Sequence, residues 1–267
     1  MNPHLLPLLL GKKSLAGAVI AILRKYGTDA HVYLPGIGVI NGLTAGNYLD
    51  SAGVTPATVD NPVGLVLDAN GTIDALQATT ANKPILRNSG GSYSWQFDGT
   101  DSLALGSVPF QMADDHFVIV GASCSSYTVA RTIFGISSTV NGTPLLATMS
   151  YQTDGAMRVT WRNDAGGVVD INSLAIPLNE TSIFTARKVG TSKSLRKNGV
   201  NVSAPNTTDL GTTFTLNTAN IGYLLRTTAT NYHLGSMYPQ IIGKGTITDA
   251  DLLILEKWVG SLSGVSF

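Results

Sequence analysis

From Ser92 onward the chain is written in twos. Tyr93, Trp95 and Phe97 alternate with Ser94, Gln96 and Asp98, which predicts a strand with one aromatic and one polar face. Met157, Val159 and Trp161 alternate with Arg158, Thr160 and Arg162 in the same way, so both arginines should face outward. Phe117–Val120 is apolar without a break and fits a central strand buried on both faces. Ile183–Val189 continues the set. Ser194–Lys197 is joined to Val200–Ser203 by Asn198-Gly199, the dipeptide that best accepts the positive φ angles of a tight hairpin turn. Many short strands with turns between them predict an all-β, two-sheet antiparallel sandwich.

Two segments change period. Leu15, Ala18, Val19, Ile22, Leu23 and Tyr26 recur at three and four residues, which predicts a helix over 14–26 with Arg24 and Lys25 at its C-terminal end and Gly27 as its stop. A helix this short is marginal alone in water. Its stripe needs a surface, either the same chain's sandwich or another subunit. The second helix follows Thr248, a capping residue, with Asp251 three positions on. Leu252, Leu255, Val259 and Leu262 form its stripe, and it is expected to plug one end of the sandwich. Between these regions, residues 27–90 are rich in Gly, Pro, Asn and Thr and predict extended segments with turns. The expected organisation is an N-terminal hydrophobic arm (1–44), an extended lead-in (45–90) and the sandwich (91–267).

Composition narrows the function classes. Charged residues are 13% of the chain, and 17 basic residues balance 17 acidic ones. Neutrality removes the electrostatic footprint of a nucleic-acid-binding protein. Cys124 is the single cysteine, so no internal disulfide forms, and its apolar surroundings predict an inert core thiol. In MNPHLLPLLLGKK the positive charges follow the apolar run, the reverse of a secretory signal. The run falls short of the ~20 apolar residues that span a bilayer, so a soluble chain with no membrane span is expected.

Four segments together carry a family resemblance: FDGTDSLAL at 97–105, SLRKNGV at 194–200, IGYLL at 221–225, and LGSMYPQIIGKGTITDADLLILEKWVGSLSGV at 234–265. In order and spacing they resemble the concanavalin A-like lectin/laminin-G-like jelly roll. YLDSAGVTPATVDNPVGLVLDANG and ALQATTANKPILR, upstream, are similar to a lead-in found before this domain in tailed-phage virion proteins. The resemblance covers about residues 45–265. It implies a jelly-roll sandwich with a C-terminal helix in a non-enzymatic virion structural protein, a head decoration, fibre or tail accessory protein made in the bacterial host cytoplasm. The expected partners are other capsid or tail proteins and further copies of the chain, with a trimer favoured, held by an arm that buries Leu15, Val19, Ile22 and Leu23. The alternative is a module that binds host-surface carbohydrate.

The candidate chemistry is sparse. The family's hydrolases carry Glu-x-Asp-x-x-Glu on one strand, whereas this chain has only Glu180 and Glu256, in other contexts. Glycosidic cleavage needs two carboxylates flanking one bond, and Asp114-Asp115 are adjacent strand residues that face opposite ways. No catalytic residue is assigned. Trp95, Trp161 and Trp258 sit on apolar faces and belong to the core. Tyr127, Tyr151, Tyr223 and Tyr232, with Tyr238, lie nearer turns and are the candidate sugar contacts. The resemblance offers no organic cofactor. It does offer a rim Ca2+, for which Asp98 and Asp101 are the candidate ligands with Asp154 in reserve, although no dense acidic loop supplies the six to eight oxygens that ion takes. His4, His31, His116 and His233 show no ligand spacing.

Overall fold

The computed structural model describes residues 5–111, 113–140, 145–211 and 216–267; His4 lies outside them. Two antiparallel sheets face each other. The first, eight strands among the described residues, runs in the order 200–201, 192–197, 182–189, 116–124, 234–244, 92–98 and 85–89, with 30–33 also paired to 234–244. The second, nine strands, runs 168–175, 156–162, 145–151, 131–137, 218–221, 103–105, 75–76, 65–66 and 47–48.

The sequence pattern explains the layers. Every residue of His116–Cys124 is buried, and the strand pairs on both sides, with 182–189 and 234–244. Its alternation then divides two cores. Val118, Val120 and Ala122 point between the sheets, where they join Trp95, Phe97, Phe134, Tyr151, Trp161 and Phe184. Phe117 and Ile119 point the other way, into a second apolar cluster with Ile183 and Ile241. At Asn198-Gly199 φ is 48° and 78°, the two positive values that a type I′ hairpin requires.

Both helices cover the outer face of the first sheet. Helix α1 spans Leu5–Tyr26, starting well before Ser14, and helix α2 spans Asp249–Ser263. The Thr248 hydroxyl accepts the Asp251 N–H, and Gly264 ends α2 at φ 74°. Leu252, Leu255, Trp258 and Val259 pack with Phe117, Ile119 and Ile241. The end-plug expected for α2 is therefore corrected to a third layer lying on the sheet, because the outward half of strand 116–124 is itself apolar and must be covered.

The assembly arm is corrected as well. Val19, Ile22 and Leu23 are 1%, 3% and 1% exposed within this one chain, and Leu15 packs at the margin of the same cluster. Tyr26 meets Phe117 edge-on at 5.4 Å, its hydroxyl donates to the Thr246 carbonyl, and Lys25 pairs with Asp251 at 2.8 Å. The stripe found its surface on the chain's own sheet.

The lead-in is fastened by polar contacts. Trp95 Nε1 donates to Asn47 Oδ1 at 2.7 Å, and Asn47 Nδ2 donates to the Leu34 and Gly36 carbonyls. His31 Nδ1 lies 2.6 Å from Asp68 Oδ2 in a buried pair, and Asp68 also accepts the Val32, Asn70 and Ile73 amides. Burial raises the Asp68 carboxyl, but these hydrogen bonds together leave it below its ordinary range. Residues 85–89 and 92–98 form one hairpin across Gly90-Gly91.

Candidate functional site

The second sheet keeps an outer face that no described helix covers. Met157, Val159 and Trp161 point into the core, which turns Arg158, Thr160 and Arg162 outward as the alternation predicts. The strand registers set neighbours beside each. Ser150, Arg158 and Asn172 form one cross-strand row, and Thr148, Thr160 and Asp170 the next. Arg158 Nε donates to Asn172 Oδ1 at 2.9 Å, and Thr160 Oγ1 donates to Asp170 Oδ1 at 2.6 Å. Hydroxyl, amide and guanidinium groups are thus held in place on a rigid strand surface.

One border of this face is a fold-back. After strand 218–221 the chain turns at Gly222, where φ is 85° and a Cβ would collide with the Phe97 ring. The short hairpin of Leu224–Leu225 and Ala229–Thr230 then returns along strand 131–137, where the Ser137 hydroxyl donates to the Leu225 carbonyl. Tyr223 and Tyr232 flank it with rings stacked at 5.6 Å and 9°. Tyr223 is buried, which pushes its hydroxyl up to about 12, while Tyr232 stays half-buried and its carbonyl accepts from Arg131. Of this pair, Tyr232 offers the exposed ring.

The other three candidate tyrosines belong elsewhere, Tyr238 on the first sheet, where its hydroxyl accepts from Thr181. Tyr151 is fully buried, donates to the Ala122 carbonyl and meets Phe184 edge-on, so its expected role as an exposed contact is corrected to core. It sits inward because strand 145–151 alternates and Met149 and Tyr151 share the core face. Tyr127 stacks on Tyr151 at 5.7 Å and donates to the Ile176 carbonyl, leaving only part of its ring accessible. Trp95, Trp161 and Trp258 are buried.

The acidic residues serve the fold. Lys197 holds the Glu180 carboxyl at 2.7 Å, below its ordinary range. Glu256 is fully buried and receives Arg196 through both oxygens, at 2.8 and 3.0 Å. Asp98 and Asp101 close their own turn: Asp101 Oδ2 accepts the Asp98 N–H, and Asp98 Oδ1 accepts from Thr100. Asp154 caps Ala156 in the same local way. Among the described residues no group of three or more His, Cys, Asp or Glu side chains could hold a metal ion. His116 is buried with its Nε2 accepting from Trp161, and burial pushes it down to about 3. His233 is likewise buried and pushed down to about 3. Burial raises the Cys124 thiol, which donates to the Ser126 carbonyl. No described helix is long and apolar enough to cross a membrane.

Asp101 gives a clean test of the rim-metal expectation. Burial pushes its carboxyl from 3.8 to about 6. The folded state therefore holds a proton that the unfolded chain releases, and stability from this site falls as pH rises from about 4 through about 6. Asp101→Asn keeps the acceptor for the Asp98 N–H and is expected to remove that fall, gaining roughly 1–2 kcal/mol at pH 8. Unfolding midpoints from pH 4 to 8, with and without Ca2+, check this. A Ca2+-dependent rise in the parent chain that is lost in the variant would establish the metal site instead.

No family model matches the chain, and no curated protein matches it. Solved structures do align. The Trypanosoma rangeli sialidase in complex with sialic acid superposes with a TM-score of 0.58 at 12% identity, covering 95% of this chain and 39% of the sialidase. The same sialidase with the inhibitor DANA gives 0.56 at 13% identity, over 93% and 38%. The Ruminococcus gnavus IT-sialidase CBM40 bound to alpha2,3 sialyllactose gives 0.48 at 12% identity, over 54% of this chain and 83% of that module. The chain spans about two fifths of the length of the trypanosomal enzyme. At such identities the likeness reports the fold alone, an antiparallel β-sandwich.

Proposed function

We propose that this chain is a non-catalytic carbohydrate-binding module that presents the outer face of its second sheet to a glycan. The observation that carries the reading is the ordered polar surface of Arg158, Thr160, Asp170 and Asn172, on a face bordered by the fold-back that carries the half-exposed Tyr232 ring. Such a surface offers donors, acceptors and an apolar ring, the combination that a sugar's hydroxyls and C–H faces require. Glu180 and Glu256 are each bound to a basic side chain, which supports binding without cleavage. The finer architecture we assign is the concanavalin A-like jelly roll. The sialidase structure, solved with sialic acid, shows that the shared sandwich occurs in a protein that handles sugar.

A place in a phage virion has the sequence resemblance of the lead-in as its support. Burial of the α1 stripe within the chain removes the anchoring arm from that argument.

A glycan array probed with the full chain tests the reading. Binding to at least one oligosaccharide class is expected, weakened roughly tenfold by Arg158→Ala, which removes a charged hydrogen-bond donor, and also weakened by Tyr232→Ala. A folded chain that binds no glycan overturns it.

A further inference from the structure

Seven arginines occupy the sandwich and its loops beyond α1, and five have partners. Arg87 pairs with Asp60, Arg187 with Asp249 and Arg196 with Glu256; Arg131 donates to the Tyr232 carbonyl and Arg158 to Asn172. Arg162 and Arg226 are different. Neither pairs with a carboxylate among the described residues, and although a buried, unpartnered Nε is shared with Arg131 and Arg187, those two have partners through their other nitrogens.

The fold brings these two to the same corner of the second sheet. Arg162 ends its strand on the outer face, opposite Leu145, and Leu145 is in turn opposite Ser137. The Ser137 hydroxyl holds the Leu225 carbonyl, so Arg226, the next residue, stands over that position at the tip of the fold-back. Its own N–H reaches the Thr228 carbonyl at 3.2 Å and closes the tip. Two strand spacings, roughly 9–10 Å of backbone, separate Ser137 from Arg162, a span within the reach of two extended arginine side chains. Burial, and then the charge of Arg162, holds the Arg226 guanidinium below its ordinary value.

Half-burying two like charges together costs free energy, and no hydrogen bond or ion pair from either guanidinium to a described residue offsets it. Planar guanidinium forks with free N–H groups are the donors that best fit a carboxylate or sulfate. We propose that Arg162 and Arg226 form a subsite for one oxyanion carried by the bound glycan, so that the ligands of this face are acidic oligosaccharides. The inference rests on the carbohydrate-binding reading and narrows it to a charge class.

The test titrates the full chain with matched oligosaccharides: a neutral one, its uronic-acid counterpart, its sulfated counterpart, and inorganic sulfate. The acidic forms are expected to bind at least about tenfold tighter than the neutral one, with the excess shrinking at high salt. Arg162→Gln and Arg226→Gln should each abolish the excess while leaving neutral binding in place, and Arg226→Lys should restore only part of it. Because each change relieves repulsion, neither Gln variant should lower the melting temperature. Sulfate, against chloride at equal ionic strength, should raise melting in the parent and not in the double variant. Equal affinity for neutral and acidic glycans overturns the subsite and leaves the carbohydrate reading standing. Sulfate stabilisation with no glycan binding overturns both the acidic-glycan assignment and the carbohydrate reading. A preference that survives in the double variant places the anion elsewhere and overturns the assignment.

Discussion

Replacing Glu256 with alanine is expected to lower the unfolding free energy by about 3–5 kcal/mol, the cost of leaving a buried charge without its partner. Glu256 is fully buried on the inner side of α2, and Arg196 reaches it through two hydrogen bonds while also donating to the Gly199 carbonyl. Burial dominates the surroundings of this carboxyl and raises it even with Arg196 beside it. Alanine would strand the guanidinium between helix and sheet. Glu256→Gln keeps an acceptor and should lose less, and Glu256→Ala combined with Arg196→Ala should cost less than the sum of the two single changes. Denaturant unfolding of the parent and the four variants measures this. A loss below 1 kcal/mol for Glu256→Ala would mean that water reaches the pair.

The second large effect belongs to α1. Leu23→Ala and Ile22→Ala are each expected to cost about 2–4 kcal/mol, since both side chains fill a closed cluster that cannot relax fully around a cavity. Removing residues 1–27 should do more. It would strip Val19, Ile22 and Leu23 from Phe117, Ile119 and Ile241 and open an apolar face on the first sheet. The truncated chain should unfold at a markedly lower denaturant concentration, bind hydrophobic dyes and aggregate. An unchanged midpoint would return the stripe to a partner subunit.

What could be read from the sequence was what local chemistry decides. The alternation around Trp161, the turn at Asn198-Gly199 and the Thr248 cap each depend on residues a few positions apart, and each is found as expected. The destination of an apolar surface is a different matter. HFVIVGASC is apolar throughout, so its letters do not say that Phe117 and Ile119 serve one core and Val118 and Val120 another. The α1 stripe announced a need for cover without naming the cover. The candidate site was half legible: the alternation placed Arg158 and Arg162 outward without saying what they would meet there. Arg226 joins them only because the chain reverses after Gly222, with Asn231 at φ 54° on the return, and nothing local to YLLRTTATNY points to a turn toward strand 131–137.

The strand 234–244 is the seam of the first sheet, pairing with 116–124, 92–98 and 30–33. Protein synthesis runs the other way. Ala30 leaves the ribosome long before Gly243, its partner, has been made. Throughout that interval the early strands carry unpaired edges and an uncovered apolar face, and closing them means joining segments separated by most of the chain, which is entropically slow. Completion of this sheet is therefore a late event, and the nascent chain is exposed to mispairing until it occurs. Expression at low temperature or with a holding chaperone should raise the yield of native protein more than any change to its surface.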